Sequence, residues 1–151
     1  KERLPQDFEW LVKYLAEYFD WVQSVDSLKI LNRLNNQRPG NYPPLNVLLQ
    51  IKVTDETTKR GFSVKEMLEV AELSNEFQNL KIRGLMSIPA PTDSYSLQLA
   101  QSEKCKQAFD QLKQIISVDT LSLGMSSDLE AAIQAGSNMV RIGTDIFGRR
   151  D

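Results

Sequence analysis

The sequence predicts an α/β domain built on a parallel sheet, because short apolar segments alternate along the chain with segments of helical periodicity. Three of these segments, 46–53, 80–88 and 119–124, read as short strands, and the first is nearly continuous in apolar and β-branched residues. Such a run is typical of a strand that is buried on both faces. Strands that alternate with helices in this way indicate a parallel sheet with right-handed crossovers.

Length and composition indicate one soluble domain and argue against several functions. The chain has 151 residues, of which 41% are hydrophobic and 25% are charged, and this length corresponds to about one domain. A net charge of −2 argues against broad electrostatic capture of nucleic acid or of an anionic membrane. One cysteine and no histidine exclude a disulfide framework, a Cys/His zinc site and a triad that needs imidazole. Because we find no membrane-length apolar run and no secretory leader, we expect a cytoplasmic protein.

The N-terminal part is predicted to contain a helix, a weak strand and a second helix. Residues 11–19 have helical spacing, although residues 7–10 resemble the approach to a strand. Residues 20–25 are a weaker strand candidate. Asp26 can cap the next helix, whose apolar face is formed by Leu28, Leu31 and Leu34.

The rest of the chain repeats the strand–helix unit. Residues 63–66 have the form of a capping box at the start of one helix. Residues 105–116 present the apolar face of another helix, and Gly136 should end a shorter third one. Residues 139–143 are predicted to be the fifth strand of the sheet.

Two loops that follow predicted strands carry groups suited to an anion. The turn at 124–126 leads into a helix N-terminus, so backbone N–H groups and the Ser126 hydroxyl could contact a ligand. The alternative is that Ser126 or Ser127 only caps this helix. Gly143 and Thr144 offer similar donors after the last strand. Two adjacent loops of this kind suggest a phosphorylated ligand, because the last two strands of a barrel are a frequent phosphate site.

Arg141 is the sharpest single signal in the sequence, since it lies inside the apolar segment 139–143. Burying an unpaired guanidinium costs several kcal/mol. Arg141 is therefore expected to have an acceptor, either a neighbouring carboxylate or a ligand. A structural ion pair is the alternative to ligand binding.

Other residues are weaker candidates. Lys59 lies in a polar loop and is expected to be solvated, with a smaller chance of facing a ligand. Asp128 and Glu130 are expected to favour the positive end of their own helix. Cys105 lies on an apolar helix face and is predicted to be a core residue. Packing is also the more frequent role for the two tryptophans, Trp10 and Trp21.

Segments 85–91, 121–132 and 140–149 carry a family resemblance. They resemble the pyridoxal phosphate homeostasis proteins, which are similar to the N-terminal barrel of alanine racemase. Residues 46–61, which include Asp55 and Lys59, also fit, and the match runs from about residue 20 to residue 151. The resemblance implies a (β/α)8 TIM-type barrel that carries pyridoxal 5′-phosphate.

The resemblance also implies roles for five residues. Ser126, Gly143 and Thr144 would hold the phosphate, Arg141 would face the pyridine nitrogen, and Met86 would lie near the cofactor. Because arginine keeps its proton, the pyridine nitrogen would stay unprotonated and the ring would be a poorer electron sink. This suits a protein that holds the cofactor and passes it on, with PLP-dependent apo-enzymes as partners, and that is not an enzyme. The alternatives are a racemase-like enzyme and a barrel that binds another phosphorylated metabolite.

Parts of the family pattern are missing from the sequence. The family's cofactor lysine, in a Val-Ser-Lys-type motif on the first strand, is absent, and so is the Gly-Glu-Asn-Tyr motif of the second strand. The five predicted strands would be the fourth to the eighth of the barrel, with the first two absent and the third cut short at Trp10. Because five strands cannot close a barrel, we expect residues 1–151 to be a single partial barrel domain of a longer polypeptide, as a monomer or homodimer.

Overall fold

The computed structural model describes residues 6–53 and 60–149. Four parallel strands form one sheet in the order β1-β2-β3-β4: Trp21–Val25 (β1), Leu45–Gln50 (β2), Leu80–Met86 (β3) and Thr120–Ser122 (β4). The helices are Gln6–Tyr18 (α1), Leu28–Gln37 (α2), Val64–Glu72 (α3), Tyr95–Lys113 (α4), Leu129–Gln134 (α5) and Thr144–Phe147 (α6), with a 3-10 turn at Ser74–Glu76. Among these residues, no helix combines the length and the apolar character needed to cross a bilayer.

The predicted alternation of parallel strands and helices is confirmed. β2, β3 and β4 lie within the three apolar segments, except that β2 begins one residue earlier, at Leu45. The capping box at the start of α3 is also confirmed, because the Ser63 hydroxyl accepts from the Glu66 N–H at 3.1 Å and the Glu66 carboxylate accepts from the Ser63 N–H at 2.7 Å. Gly136 follows α5 with a φ of 104°, which suits a glycine that ends a helix.

Two predictions near the N-terminus were wrong. Residues 7–10 are helical and do not approach a strand, because α1 begins at Gln6. Helical spacing prevails there because Val12 and Ala16 are one turn apart and both are buried in the core. Ser27 caps α2 in place of Asp26, since the Ser27 hydroxyl accepts from the Ile30 N–H at 3.3 Å.

The predicted fifth strand at 139–143 was also wrong, because the segment forms only an isolated bridge between Ser122 and Met139. Side chains of the residues just before it take part in this contact. The Asn138 side chain accepts from the Leu121 N–H at 2.8 Å, and the Ser137 hydroxyl accepts from the Leu123 N–H at 3.1 Å. Asn138 occupies the Leu121 N–H, whereas the Leu123 N–H also donates to the Met139 carbonyl at 3.1 Å, so backbone contact persists without forming a regular strand.

The two faces of the sheet have different characters. Leu45, Val47 and Leu49 of β2, and Ile51 just beyond it, belong to the core that packs against the helices. Because side chains alternate along a strand, the residues between them point to the opposite face, which corresponds to the interior of a barrel. Those residues are Asn46, Leu48 and Gln50.

At the amino ends of the strands, Arg83 connects all four strands. Its Nε and Nη2 donate to the two oxygens of Asp119 at 3.0 and 2.6 Å, and its Nη1 donates to Asn46 Oδ1 at 3.1 Å. The guanidinium also lies 4.7 Å from the centre of the Trp21 ring. The hydrogen bonds from Arg83 lower the pKa of Asp119 to about 2. This end of the sheet is thus held by a charge pair that is already satisfied.

The close approach of β3 to β4 generates a stability prediction. A Cβ on Gly84 would lie 1.7 Å from the Thr120 carbonyl oxygen, and Gly84 has a φ of +153°. We expect Gly84→Ala to lower the free energy of unfolding by about 2–4 kcal/mol through strain and overpacking. Gly40→Ala is the matched control, since a Cβ there meets nothing within 4 Å. Urea denaturation of both variants measures the effect, and equal midpoints would contradict this account of the contact.

Candidate functional site

A cavity of about 520 Å³ opens where the chain leaves β4 and where it leaves the bridge at Met139. Segments 125–127 and 141–145 line it. Carboxyl ends of parallel strands converge on one edge of a sheet, so these two loops are neighbours although they are separated in sequence. The structure therefore brings together four of the five predicted site residues, Ser126, Arg141, Gly143 and Thr144.

Arg141 is held through neutral oxygens at the ends of β3 and β4. Its Nη1 donates to the Ser122 carbonyl at 3.1 Å and also to the Ser122 hydroxyl. Its Nη2 donates to the Ser87 carbonyl at 2.9 Å. The acceptors at the ends of β3 and β4 were not anticipated, since the sequence analysis considered only a carboxylate or a ligand; a ligand contact of Arg141 stays a prediction.

These bonds leave part of the guanidinium available. Arg141 is half-buried, and burial lowers the pKa of its guanidinium, while the charge of Asp128 opposes that shift. Arginine nevertheless stays protonated in proteins. Within 6–53 and 60–149, the Nε–H group and one Nη2 hydrogen have no protein acceptor, and no carboxylate forms an ion pair with this side chain. A cationic donor thus remains free to meet a ligand.

The turn after β4 is shaped by Gly124 and Asp128. Gly124 has a φ of +101°, and a Cβ on it would lie 2.9 Å from Ala132 Cβ. Asp128 Oδ1 accepts from the Met125 N–H at 2.7 Å. Asp128 occupies the N-cap position of α5 without making a side-chain capping bond, so neither Ser126 nor Ser127 caps this helix.

Ser126 instead connects the two loops that line the cavity. Its hydroxyl accepts from the Asp145 N–H at 3.3 Å, which leaves the hydroxyl hydrogen available as a donor. Among the described residues, the N–H groups of Ser127, Gly143 and Thr144 donate to no protein acceptor. A Cβ on Gly143 would meet nothing within 4 Å, so the backbone is bare at this point. Free donors on both loops can hold an anion.

Asp145 is the one feature of the cavity that opposes an anion. It lines the same space and is exposed. Its backbone supports the site through Ser126, whereas its carboxylate brings a negative charge to the rim. We therefore expect the Asp145 carboxylate to weaken the binding of an anion in this cavity.

The remaining sequence candidates lie elsewhere. Met86 is buried at the end of β3 next to Ser87, but it does not line the cavity, so its place beside a ligand stays a prediction. Cys105 is a core residue as predicted, and burial raises the pKa of its thiol to about 11. Trp10 is 66% exposed and stacks on Tyr14, whereas Trp21 packs beneath Arg83. The segment that contains Asp55 and Lys59 lies outside the described residues.

The sequence analysis missed two residues that organise the site, Ser87 and Ser122, and it gave Asp128 only a role at the N-terminus of its own helix. Ser122 had a visible signal, because a lone hydroxyl between Leu121 and Leu123 in a buried strand needs a polar partner. Ser87 contributes through its backbone carbonyl, for which no side-chain pattern exists.

For metals, no group of three or more His, Cys, Asp or Glu in 6–53 and 60–149 is arranged to hold an ion.

Comparisons with known proteins agree with this geometry. The family described as "Alanine racemase, N-terminal domain" matches residues 8–151. The chain belongs to this family. It is 51% identical over 140 residues to the pyridoxal phosphate homeostasis protein of Escherichia coli K12, and 49% identical over 142 residues to that of Haemophilus influenzae. Each alignment covers 92% of this chain and 60% of the relative, so the chain spans about 60% of the length of these relatives.

Solved structures show the same fold. PipY of Synechococcus elongatus PCC7942 with PLP bound superposes with a TM-score of 0.83 at 26% identity, covering 93% of this chain and 66% of that one. Alanine racemase of Clostridium difficile 630 superposes with a TM-score of 0.72 at 18% identity, covering 94% of this chain and 37% of that one, and this likeness shows the fold alone. The described sheet is therefore part of a TIM-barrel-like fold.

Asp128 provides a test of how the site is shaped. We expect Asp128→Ala to lower the free energy of unfolding by about 1.5–3 kcal/mol, because the Met125 N–H loses a charged acceptor. Glu130→Ala is the matched control, since Glu130 is an exposed acidic residue in the first turn of α5 with no described hydrogen bond. Urea denaturation monitors both variants. Equal losses in the two would show that the Asp128 bond does not organise the turn.

Proposed function

We propose that the chain binds pyridoxal 5′-phosphate in the cavity between segments 125–127 and 141–145, and that it holds and passes on this cofactor without catalytic turnover. The observation that carries the proposal is Arg141, a protonated guanidinium fixed by neutral acceptors and with donors to spare. The names of the E. coli and H. influenzae relatives and the PLP in the PipY structure support the choice of ligand.

The residues of the cavity suit the parts of this ligand. We assign the phosphate to the Ser126 hydroxyl and to the backbone N–H groups of Gly143 and Thr144, which are free donors on two loops. We assign the pyridine nitrogen to Arg141, and we place Met86 near the ring. A bare backbone at Gly143 favours close approach of a bulky phosphate.

Arg141 also determines what the site would do with its ligand. When bound, pyridoxal phosphate supplies an aldehyde that condenses with amines and a ring that can accept electrons. Arg141 cannot give a proton to the ring nitrogen, so this chain would leave the ring a poor electron sink. That property favours storage and transfer over amino-acid chemistry.

The same proposal extends to the setting of the protein. We place this sheet in one barrel domain, as its fourth to eighth strand positions, with the last of them reduced to the bridge at Met139. PLP-dependent apo-enzymes are the proposed recipients of the cofactor. The cytoplasm is the proposed location, where the free thiol of Cys105 would stay reduced.

A binding experiment tests the ligand and its orientation. We expect Ser126→Ala and Gly143→Ala each to weaken binding of pyridoxal 5′-phosphate by roughly 10–100-fold, because each disturbs contacts to a charged group. Equilibrium dialysis measures the affinity, and Ser96→Ala, an exposed serine on α4, is the matched control. Unphosphorylated pyridoxal should bind weakly to every form of the chain.

Three outcomes of that work would contradict the proposal. Equal affinity of all variants for pyridoxal 5′-phosphate would show that Ser126 and Gly143 do not hold the phosphate. Racemisation of L-alanine well above the rate with free cofactor would favour the enzyme alternative. A larger thermal shift with another phosphorylated metabolite than with pyridoxal 5′-phosphate would favour a different ligand, since a specific ligand raises stability by mass action.

Asp145 gives a second prediction with the opposite sign. We expect Asp145→Asn to strengthen binding of pyridoxal 5′-phosphate a few-fold, because it removes a negative charge from the rim of the cavity while keeping the backbone N–H on Ser126. The gain should shrink at high salt, since an exposed charge is screened. Dialysis at low and high ionic strength measures it, and weaker binding by the variant would show that the carboxylate has a supporting role.

A further inference from the structure

We propose that the Ser122 hydroxyl is a positioning group that holds the Arg141 guanidinium toward a ring nitrogen, so that Ser122 determines which rings the site prefers. This inference rests on the proposed function, in which Arg141 meets the pyridine nitrogen of pyridoxal 5′-phosphate. It adds a residue that acts on the ring through the guanidinium. The face on which Ser122 lies, its anchored backbone and its contacts with Arg141 carry the inference.

The Ser122 side chain lies on the face of the sheet opposite the helices. Its neighbours Leu121 and Leu123 belong to the core that packs against the helices, and side chains alternate along a strand. Ser122 is fully buried, so its hydroxyl needs a polar partner within the fold. Arg141 is that partner, because its Nη1 donates to the Ser122 hydroxyl. The hydroxyl therefore serves the guanidinium and contributes nothing polar to the helix-facing core.

The backbone of Ser122 is anchored on both sides. It pairs with Met86 in the ladder between β3 and β4, and its carbonyl accepts from the Ser87 N–H at 3.3 Å. On the other side, Ser122 forms the isolated bridge to Met139. A side chain on a strand residue that is held in this way has a defined position. It can therefore fix a ligand-binding group more precisely than a side chain on a free loop.

Arg141 makes three contacts with two residues. Its Nη1 meets the Ser122 carbonyl at 3.1 Å and also the Ser122 hydroxyl, and its Nη2 meets the Ser87 carbonyl at 2.9 Å. Two contacts would leave a planar group free to swing about the line that joins them, whereas a third contact limits that motion. The direction of the free N–H groups matters, because a hydrogen bond weakens steeply when it departs from linear geometry. Loss of the hydroxyl should thus spoil the aim of the guanidinium without releasing it.

A neutral hydroxyl suits this role better than a carboxylate would. At the other end of the sheet, Arg83 donates to both oxygens of Asp119, and its charge is satisfied within the protein. Acceptance by the Ser122 hydroxyl orients Arg141 but leaves its charge uncancelled. Hydrogen bonds from a charged donor are about twice as strong as neutral ones. The arrangement therefore keeps a strong donor in a fixed direction.

The expected consequence is selectivity for the ring atom and not for the phosphate. The Ser126 hydroxyl, which we assign to the phosphate, accepts from the Asp145 N–H and has no described bond to Ser122. Removing the Ser122 hydroxyl should therefore leave the phosphate contacts in place. It should remove the advantage that a ring with a nitrogen acceptor has over the same ring with a C–H group at that position.

A comparison of two ligands tests this inference on the whole chain. Equilibrium dialysis gives the affinities for pyridoxal 5′-phosphate and for 1-deazapyridoxal 5′-phosphate, in which a C–H group replaces the ring nitrogen. We expect the wild-type chain to prefer pyridoxal 5′-phosphate by roughly 10–100-fold, since the analogue cannot accept from Arg141. Ser122→Ala should reduce this preference to about threefold or less, mainly by weakening the binding of pyridoxal 5′-phosphate.

Three further variants separate positioning from packing. Ser122→Thr keeps a hydroxyl and should restore most of the preference, whereas Ser122→Cys has a similar volume with a weak acceptor and should lose it. Ser102→Ala is the matched control, because Ser102 is another buried serine and has no described bond to Arg141. It should keep the wild-type preference even if it alters the stability of the fold.

The outcomes distinguish this inference from the proposed function. If the wild-type chain prefers pyridoxal 5′-phosphate and both Ser122→Ala and Ser122→Cys keep that preference, the role of Ser122 is overturned while Arg141 retains its assignment. Loss of the preference in Ser102→Ala, or no recovery in Ser122→Thr, would also overturn it. Equal binding of the two ligands by the wild-type chain would overturn the assignment of Arg141 to the ring nitrogen, and this inference with it.

Discussion

The guanidinium of Arg141 is the group on which the candidate site depends. It ties the segment after Met139 to the ends of β3 and β4, and it does so through carbonyl and hydroxyl oxygens. Because these acceptors are neutral, they satisfy hydrogen bonds without cancelling the positive charge. A half-buried charge in that state is poorly solvated. A ligand that accepts hydrogen bonds from its free donors would therefore also stabilise the folded chain.

The two ends of the sheet interior differ in how their charges are satisfied. At the amino end, Arg83 is paired with Asp119 and stacked on Trp21, so its bonds are complete within the protein. At the carboxyl end, Arg141 has no ion-pair partner among the described residues. This division matches the general behaviour of parallel α/β folds, in which one edge serves stability and the other serves the ligand.

The elements that were predicted well are those whose signals are local. The capping box at Ser63 and the buried strand β2 each follow from residues within one short segment. The fifth strand was wrong because the segment makes only an isolated bridge to Ser122, and the Asn138 side chain takes the Leu121 N–H, an arrangement that periodicity does not register. Ser126, Arg141, Gly143 and Thr144 were predicted to lie together, because the carboxyl ends of parallel strands must meet. The acceptors of Arg141 could not be predicted, since the Ser87 carbonyl lies 54 residues away in the chain and is a group that every residue has.

The fold alone does not distinguish a cofactor carrier from an enzyme, because decarboxylases and alanine racemase have the same sheet at about 18% identity. The discrimination rests on which group faces the ring nitrogen. A carboxylate in that place would stabilise a protonated nitrogen and draw electrons into the ring, whereas a guanidinium can only donate to an unprotonated nitrogen. Replacing the neutral supports of Arg141 with a carboxylate would not reverse this effect, because arginine would still hold its protons. If Arg141 faces the ring nitrogen as proposed, this one side chain would set the chemistry of the site, and the loops around it would set how firmly a phosphate is held.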